Sequence, residues 1–257
     1  WRMDAAQEQI FLIAGRFTEY TRKAGPVTGM VFLRRPEADL AERYLVATRA
    51  YINMYEELIG PYPYTKFALV ENFWETGFGM PSFTLMGPRV IRFPFIIHSS
   101  YPHEILHNWW GNSVYPVYAS GNWAEGLTAY LSDHLLRMQR GRAAAYRQTV
   151  LQEYRDYVSS AKDFALTAFT ARHNLPNEAI GYGKGMMFFH MLRYKLGGPV
   201  FQEALQAFYR RYRFTYADFD DIRRVFESVS RAELALDFKQ WVMRAGAPQL
   251  AIQQADI

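Results

Sequence analysis

Residues 103–112 read HEILHNWWGN, and this stretch decides the fold and the chemistry that the sequence predicts. On an α-helix, residues four positions apart lie on the same face, so the imidazoles of His103 and His107 can point at one metal ion. Glu104 follows the first histidine and flanks the pair. The arrangement favours a metal site over the alternative, which is a buried helix whose two histidines are satisfied by local hydrogen bonds.

A catalytic zinc ion needs a third protein ligand and keeps a fourth position for water. Residues 122–131 read NWAEGLTAYL, and Glu125 lies at the start of the helix predicted there. The loop between the two stretches allows this helix to return against the first. We therefore predict one zinc ion held by His103, His107 and Glu125. Glu104 would be the general base that takes a proton from the water.

The composition narrows the classes of protein that fit such a site. The chain has 257 residues, is 50% hydrophobic and 21% charged, and contains no cysteine. A chain of this kind can bury a large core, so disorder is excluded. The lack of cysteine excludes disulfide scaffolds, zinc ribbons and thiol nucleophiles. Any metal must therefore bind to imidazole and carboxylate groups.

Charge and hydropathy argue against two kinds of partner. The net charge of +4 is too small to indicate a nucleic acid or an anionic membrane. The longest uncharged run, residues 108–124, contains glycine and proline, so no membrane span is expected in this segment. The compartment stays open, because a cytosolic protein and a disulfide-free secreted protein have the same cysteine count.

Hydrophobic patterning predicts strands first and helices afterwards, which indicates an α+β domain with a small sheet and a mostly helical body. The predicted strands are 9–17, 30–34, 66–71, 82–86 and 90–97, with a glycine-rich bend at 76–81. The predicted helices are an amphipathic one between 36 and 60, then 101–110, 123–140, a broken stretch at 143–171, 177–196, 200–212, 217–229 and 231–245.

The motif residues resemble a known family. HEILHNWWGN and NWAEGLTAYL are similar to the motifs of the zinc aminopeptidases that include membrane alanyl aminopeptidase and leukotriene hydrolase, which are gluzincin metallopeptidases. The resemblance covers nearly the whole chain, and it implies a thermolysin-like catalytic domain with a small mixed sheet and one zinc ion. It also matches Tyr182, in the GYGKG segment, to the tyrosine that stabilises the tetrahedral oxyanion. The alternative for Tyr182 is an ordinary half-buried tyrosine at a helix start.

The resemblance also implies a division of the chain. Residues 1–35 are expected to be the tail of a preceding β domain, and residues 36–257 the thermolysin-like catalytic domain. Family members close their cleft with further domains, so further domains of the same parent chain are expected as partners.

The spacing of acidic residues departs from the family pattern in two places. Seventeen residues separate His107 from Glu125, one fewer than in the family, and a surface loop tolerates such a deletion. Asp133, eight positions after Glu125, is a candidate to orient a ligand histidine. Family members more often have the acidic residue one position earlier, where this chain has Ser132.

The strand that would bind substrate departs more strongly. The bend reads GFGMPS and has Pro81 where the family has the glutamate that binds the free amino group of the substrate. The backbone groups of Gly79 and Met80 can still pair with an extended peptide. Glu71 or Glu75 could replace the lost carboxylate, although solvated loop charges are the more common outcome for such residues. Strict aminopeptidase specificity is therefore not expected.

The sequence as a whole predicts a zinc-dependent peptidase, aminopeptidase-like in its site, that hydrolyses peptide bonds by metal-activated water. Two alternatives remain. One is a catalytically silent scaffold of the same fold, and the other is a zinc hydrolase that acts on a non-peptide substrate such as an epoxide. The complete set of ligands, base and tyrosine argues against the scaffold, because a scaffold need not retain it.

Overall fold

A five-stranded mixed sheet forms the first part of the fold. The computed structural model describes residues 5–7 and 9–247. The strands of this sheet are β1 (Thr18–Ala24), β2 (Val27–Leu33), β3 (Lys66–Glu71), β4 (Gly77–Met80) and β5 (Phe83–Met86). Their order is β1-β2-β3-β5-β4. The central pairs β2-β3 and β3-β5 are parallel, and the two outer pairs are antiparallel.

The first hairpin lies further along the chain than predicted. The two-residue turn Gly25-Pro26 joins its strands, and at the other end of the hairpin Thr18 pairs with Leu33. Because β2 ends at Leu33, residues 9–17 have no partner there and form no strand. The prediction of a strand at 9–17 was therefore wrong.

Two predictions for the segment after β3 were also wrong. The glycine-rich bend expected at 76–81 is mostly strand β4, whose backbone pairs with β5. The strand expected at 90–97 is replaced by two short 3₁₀ turns. Pro94 lies between these turns and has no backbone N–H to donate to a sheet. The prediction of strand β3 at 66–71 is confirmed.

The sheet is continuous across the expected domain division between residues 35 and 36. Strand β2 precedes that division, and it is hydrogen-bonded in parallel to β3, which follows it. Helix α1 (Ala38–Leu58) begins just after the division, as its amphipathic pattern predicts. Its buried face, which includes Leu40, Tyr44 and Tyr51, contributes to the main hydrophobic core together with residues of β2 and β3.

A mostly helical body follows the sheet, so the predicted α+β architecture is confirmed. Its helices are α2 (Ser100–Leu106), α3 (Trp123–Thr128), α4 (Leu135–Gln139), α5 (Ala143–Tyr157), α6 (Leu175–Glu178), α7 (Gly185–Leu196), α8 (Gly198–Tyr212), α9 (Phe219–Ser230) and α10 (Ala235–Trp241). Strands β6 (Val114–Pro116) and β7 (Thr215–Ala217) form a separate parallel pair. No helix within the described residues is long and apolar enough to cross a membrane.

Two π-helical turns interrupt the helical body. The first, Ala129–His134, joins α3 to α4, so the single helix predicted at 123–140 is not regular. The second, Ala179–Lys184, joins α6 to α7.

Large aromatic side chains hold the end of α2 against α3. Trp109, Trp110 and Trp123 are fully buried. The ring of Phe208, on α8, lies 5.9 Å from that of Trp110 and 5.3 Å from that of Trp123. Because such rings pack in few orientations, the two helices that carry the HEILH and WAEG segments are fixed relative to each other.

Candidate metal centre

The three predicted metal ligands lie together between α2 and α3. His103 Nε2 is 3.5 Å from Glu125 Oε2, and His107 Nε2 is 3.4 Å from the same oxygen. The ligand atoms of the three residues all lie within 4.8 Å of one another. Two imidazole nitrogens and one carboxylate oxygen at these separations can hold a metal ion.

Each imidazole is oriented through its other ring nitrogen. His103 Nδ1 is 2.9 Å from Asp133 Oδ2, and His107 Nδ1 is 3.0 Å from the backbone oxygen of Trp110. A carbonyl oxygen can only accept, so His107 carries a proton on Nδ1, and its Nε2 is the ring nitrogen that can bind a metal ion. The carboxylate of Asp133 favours the same tautomer of His103. Both free Nε2 atoms thus face Glu125.

The charges around the cluster favour a cation. Burial lowers the pKa of His103, but the neighbouring carboxylates, Asp133 first, raise it well above the usual value. Burial raises the pKa of Glu125, but the two facing histidines lower it well below the usual range. The set therefore stabilises positive charge at the point where its atoms converge.

The donor set fits zinc in particular. Glu125 Oε2 is buried and has no hydrogen-bond partner among the described residues, which is a costly state for a carboxylate oxygen. Two neutral imidazoles and one carboxylate, with no cysteine in the chain, are the ligands of catalytic zinc sites that keep one position for water. These residues are thus suited to hold one zinc ion.

Helix α2 is shorter than predicted. It ends at Leu106 with His107 as its cap, and not at residue 110. The side-chain amide of Asn108 donates to the backbone oxygen of Ile105 at 2.9 Å and so satisfies one carbonyl at the helix end. Because the two histidines are only one turn apart, they share a face despite the early end of the helix.

Strand β4 approaches Glu104 closely, and glycine makes this approach possible. A Cβ atom at Gly79 would lie 2.8 Å from Glu104 Oε2 and 3.0 Å from His107 Cβ. A Cβ atom at Gly77 would lie 3.5 Å from Glu104 Oε1, an ordinary contact. Burial, together with nearby carboxylates, raises the pKa of Glu104. The side chain of Met80, the other backbone position expected to bind substrate, packs instead with the small apolar cluster of the sheet.

Tyr182 lies beside the cluster, on the second π-helical turn. Its ring is stacked on that of His103 with centroids 6.1 Å apart and an angle of 15° between the planes. Burial raises its pKa, and the negative charge of Glu125 raises it further. The phenol therefore keeps its proton and can act as a hydrogen-bond donor.

The cluster lines a cleft of about 1040 Å³. The charged side chains that line it are Glu75, Glu104, Glu125, Asp133, Glu153, Glu178, Arg137 and Arg172. Six carboxylates against two guanidinium groups make the cleft acidic, although the whole chain carries a net charge of +4. Such a charge reversal attracts cationic groups to the cleft.

The two glutamates considered as amine anchors are both engaged elsewhere. Glu71 does not line the cleft; it is buried, pairs with Arg92 at 2.8 Å and accepts from a backbone N–H. Glu75 lines the cleft, but the side chain and the backbone N–H of Arg89 bind its carboxylate at 2.9 and 3.1 Å. Pro81 also lines the cleft and offers no charge. Glu71 is therefore not available to a substrate in this cleft.

A second pair of histidines, His134 and His190, lies apart from the candidate metal centre. Their ring centroids are 5.0 Å apart, and Arg147 Nη1 donates to His134 Nε2 at 2.9 Å. Burial and then the nearby positive groups lower the pKa of His134 to about 4. Within the described residues these histidines belong to no group that could hold a metal ion.

Sequence reasoning missed one contact and left another open. The backbone oxygen of Trp110, which orients His107, carries no side-chain signal that a pattern could reveal. Asp133 was a candidate to orient a ligand histidine although the family more often has its acidic residue one position earlier, and its carboxylate lies 2.9 Å from His103 Nδ1.

The mixed sheet, the helical body and the His–His–Glu cluster are together typical of metallopeptidase domains. The family model described as "Peptidase family M1 domain" matches residues 97–241, which are more than half of the chain. The chain belongs to peptidase family M1.

Similar proteins bear the names of aminopeptidases and leukotriene hydrolases. Aminopeptidase M1-D of Oryza sativa subsp. japonica is 25% identical over 227 residues, which cover 79% of this chain and 25% of the relative. Leukotriene A-4 hydrolase of Xenopus laevis is 24% identical over 247 residues, which cover 88% of this chain and 40% of the relative. The chain thus spans between a quarter and two fifths of the length of these relatives.

Solved structures share the fold. Native yeast LTA4 hydrolase aligns with a TM-score of 0.71 at 16% identity, over 91% of this chain and 40% of that chain. The M1 zinc metallopeptidase from Deinococcus radiodurans aligns with a TM-score of 0.69 at 18% identity, over 92% of this chain and 54% of that chain. At these identities the likeness establishes the fold alone.

Proposed function

We propose that this chain is a zinc-dependent peptidase in which His103, His107 and Glu125 hold the ion. The observation that carries the proposal is the convergence of two Nε2 atoms on one buried carboxylate oxygen that has no hydrogen-bond partner among the described residues. Membership of peptidase family M1 supports it. Zinc, when bound there, polarises the substrate carbonyl and lowers the pKa of the attacking water.

Glu104 is the proposed general base. It takes a proton from the attacking water and delivers it to the leaving amine. Its raised pKa suits this role, because the group must release a proton as readily as it accepts one. Tyr182 is proposed to donate its hydroxyl proton to the oxygen that becomes negative in the transition state. Its raised pKa keeps that proton in place.

A peptide substrate is proposed to bind along β4. Among the described residues this strand pairs with β5 on one side only, and its residues Gly77 to Gly79 line the cleft. The outer backbone groups of an edge strand can pair with an extended peptide. Gly79 brings this edge close to Glu104, so a peptide paired there passes the general base.

The specificity is proposed to be aminopeptidase-like but relaxed. Pro81 carries no charge, and Glu75 is already bound by Arg89. An α-ammonium group therefore has no free carboxylate to bind at this end of β4. The relatives are longer than this chain, so we also propose that further domains of the same parent chain complete the cleft.

The first experiment measures zinc content and peptide hydrolysis in the same preparation. We expect about one zinc per chain, loss of hydrolysis with a chelator, and recovery with added zinc. Glu104→Gln, which preserves the shape of the side chain, should keep the zinc and lose at least about 100-fold in kcat. A Glu104→Gln protein with full activity would disprove the proposed base. Zinc binding without peptide hydrolysis would favour the scaffold or a non-peptide substrate.

The second experiment compares free and N-acetylated peptides of the same sequence. Because neither Pro81 nor the Arg89-bound Glu75 offers a free carboxylate to the ammonium group, we expect acetylation to lower kcat/KM by less than about tenfold, which corresponds to about 1.4 kcal/mol of lost binding. Complete resistance of the acetylated peptide would instead indicate a strict aminopeptidase with an amine anchor elsewhere.

A further inference from the structure

The helix that carries Glu125 is interrupted by a π-helical turn, and Asp133 lies near the end of this turn. Helix α3 precedes this turn, Ala129–His134, and helix α4 follows it. Such turns are rare, commonly arise as single wide turns within an α-helix, and often occur at functional sites. The second π-helical turn described carries Tyr182, whose ring stacks on that of His103.

The helical phase explains what the first turn does. In a regular α-helix each residue turns by about 100°, so a residue eight positions after Glu125 points about 80° away from it. A residue seven positions later points only about 20° away. The π-helical turn takes up one extra residue in the same rotation. Asp133, eight positions after Glu125, therefore points in the direction that a residue seven positions after Glu125 would have in a regular α-helix.

That direction places two carboxylates of one helix on the two nitrogens of one imidazole. Glu125 Oε2 faces His103 Nε2 at 3.5 Å, and Asp133 Oδ2 faces His103 Nδ1 at 2.9 Å. Arg137 steadies Asp133 from the next turn, since its Nη1 donates to the Asp133 backbone oxygen at 2.9 Å. An imidazole held in this way keeps its proton on Nδ1 and presents Nε2 in a fixed direction.

We infer that the π-helical turn is a single-residue insertion that sets Asp133 against His103, and that Asp133 is a positioning residue for this ligand. The inference rests on the proposed function in one respect, which is that His103 binds zinc. It predicts that one residue of the turn can be removed without loss of the contact. Removal of Ser132 leaves Asp133 seven positions after Glu125, and a regular α-helix then gives it the same direction.

The test is a thermodynamic cycle on zinc affinity, measured by titrating the metal-free full chain with zinc in the presence of a chelating competitor. Asp133→Asn should weaken zinc binding by about 10- to 100-fold, the usual effect of losing such a partner. Deletion of Ser132 alone should change zinc affinity by less than about threefold. In the chain that lacks Ser132, Asp133→Asn should weaken zinc binding as much as it does in the chain that retains Ser132.

Deletion of Leu135 is the matched control. It also shortens the chain by one residue, but it lies in regular helix α4 just after the turn. This deletion rotates the remainder of α4 by about 100°, so it should lower the midpoint of thermal unfolding more than deletion of Ser132 does. Circular dichroism identifies which variants are folded.

Three results would overturn the inference alone. The first is less than a threefold effect of Asp133→Asn on zinc affinity in a chain that retains Ser132 and binds zinc. The second is a folded Ser132 deletion in which Asp133→Asn has no effect on zinc affinity. The third is a Ser132 deletion that fails to fold while the Leu135 deletion folds. A wild-type chain that binds no zinc would instead overturn the proposed function and this inference together.

Discussion

The approach of Gly79 to Glu104 gives a sharp prediction for Gly79→Ala. The added Cβ atom would lie 2.8 Å from Glu104 Oε2, whereas ordinary contacts of a Cβ begin at 3.4 Å. Either the carboxylate or the strand must therefore shift by about 0.6 Å. A misplacement of about 1 Å at a reacting group can cost about 100-fold in rate. We expect kcat to fall by about tenfold.

The same substitution should have little effect on stability. The closest atom is the free end of a side chain, which can turn away at small cost, and the contact of 3.0 Å with His107 Cβ requires a shift of only a few tenths of an ångström. We expect the free energy of unfolding in urea to change by less than about 1 kcal/mol. A loss of activity without a loss of stability would identify the general base, and not the fold, as the perturbed element.

Gly77→Ala is the matched control for this prediction. It lies in the same strand, and its Cβ would lie 3.5 Å from Glu104 Oε1, which is an ordinary contact. Its kcat should remain within about twofold of the wild-type value. The kcat values of the wild type, Gly79→Ala and Gly77→Ala are measured by steady-state hydrolysis of one peptide with zinc-loaded protein. Equal kcat values for Gly79→Ala and wild type would refute the role assigned to this approach.

Three further predictions concern Tyr182, the contact between helices α3 and α7 at Gly126, and the buried side chain of His134. Tyr182→Phe should lower kcat by about 100-fold or more with little change in KM, because the lost hydrogen bond belongs to the transition state; a normal kcat would remove it from the mechanism. Gly126→Ala should destabilise the fold by about 1–3 kcal/mol in urea unfolding, because its Cβ would meet Gly185 Cα at 2.8 Å, whereas Gly198→Ala, with only a side chain at 3.6 Å, should not. The folded-state pKa of His134, about 4, lies below its ordinary value of 6.5, so its stabilising contribution is complete above pH 6.5 and is lost as the pH falls toward 4. His134→Gln should remove up to about 3 kcal/mol of this pH dependence, and parallel stability curves of the two chains between pH 7 and 4 would contradict that assignment.

The His–His–Glu cluster could be predicted from the sequence because its arrangement is mostly local. His103 and His107 are one helical turn apart, and this spacing fixes their common face wherever the helix ends. Glu125 could be predicted because it begins the next helix, and short connections bring consecutive helices together. Strand β3 and the mostly helical body could be predicted from hydrophobic patterning, which is also a local signal.

The errors arose where distant residues decide the local structure. Glu71 ends a strand as predicted, but its carboxylate is directed away from the cleft by Arg92, which lies 21 positions later. The strand expected at 9–17 depended on a partner that ends at Leu33. The direction of Asp133 depends on a π-helical turn, and hydrophobic periodicity in the sequence does not reveal a single extra residue in a helix.

The unpaired edge of β4 has a consequence for the physical state of the substrate. If peptides pair with this edge as proposed, only a chain that is already extended can reach Glu104, because helices and tight turns have satisfied their own backbone groups. Folded proteins would then resist cleavage until a segment unravels. A proline at a pairing position, which lacks an N–H, would slow cleavage even in an unfolded peptide. The chain would in this way select for conformation before it selects for side chains.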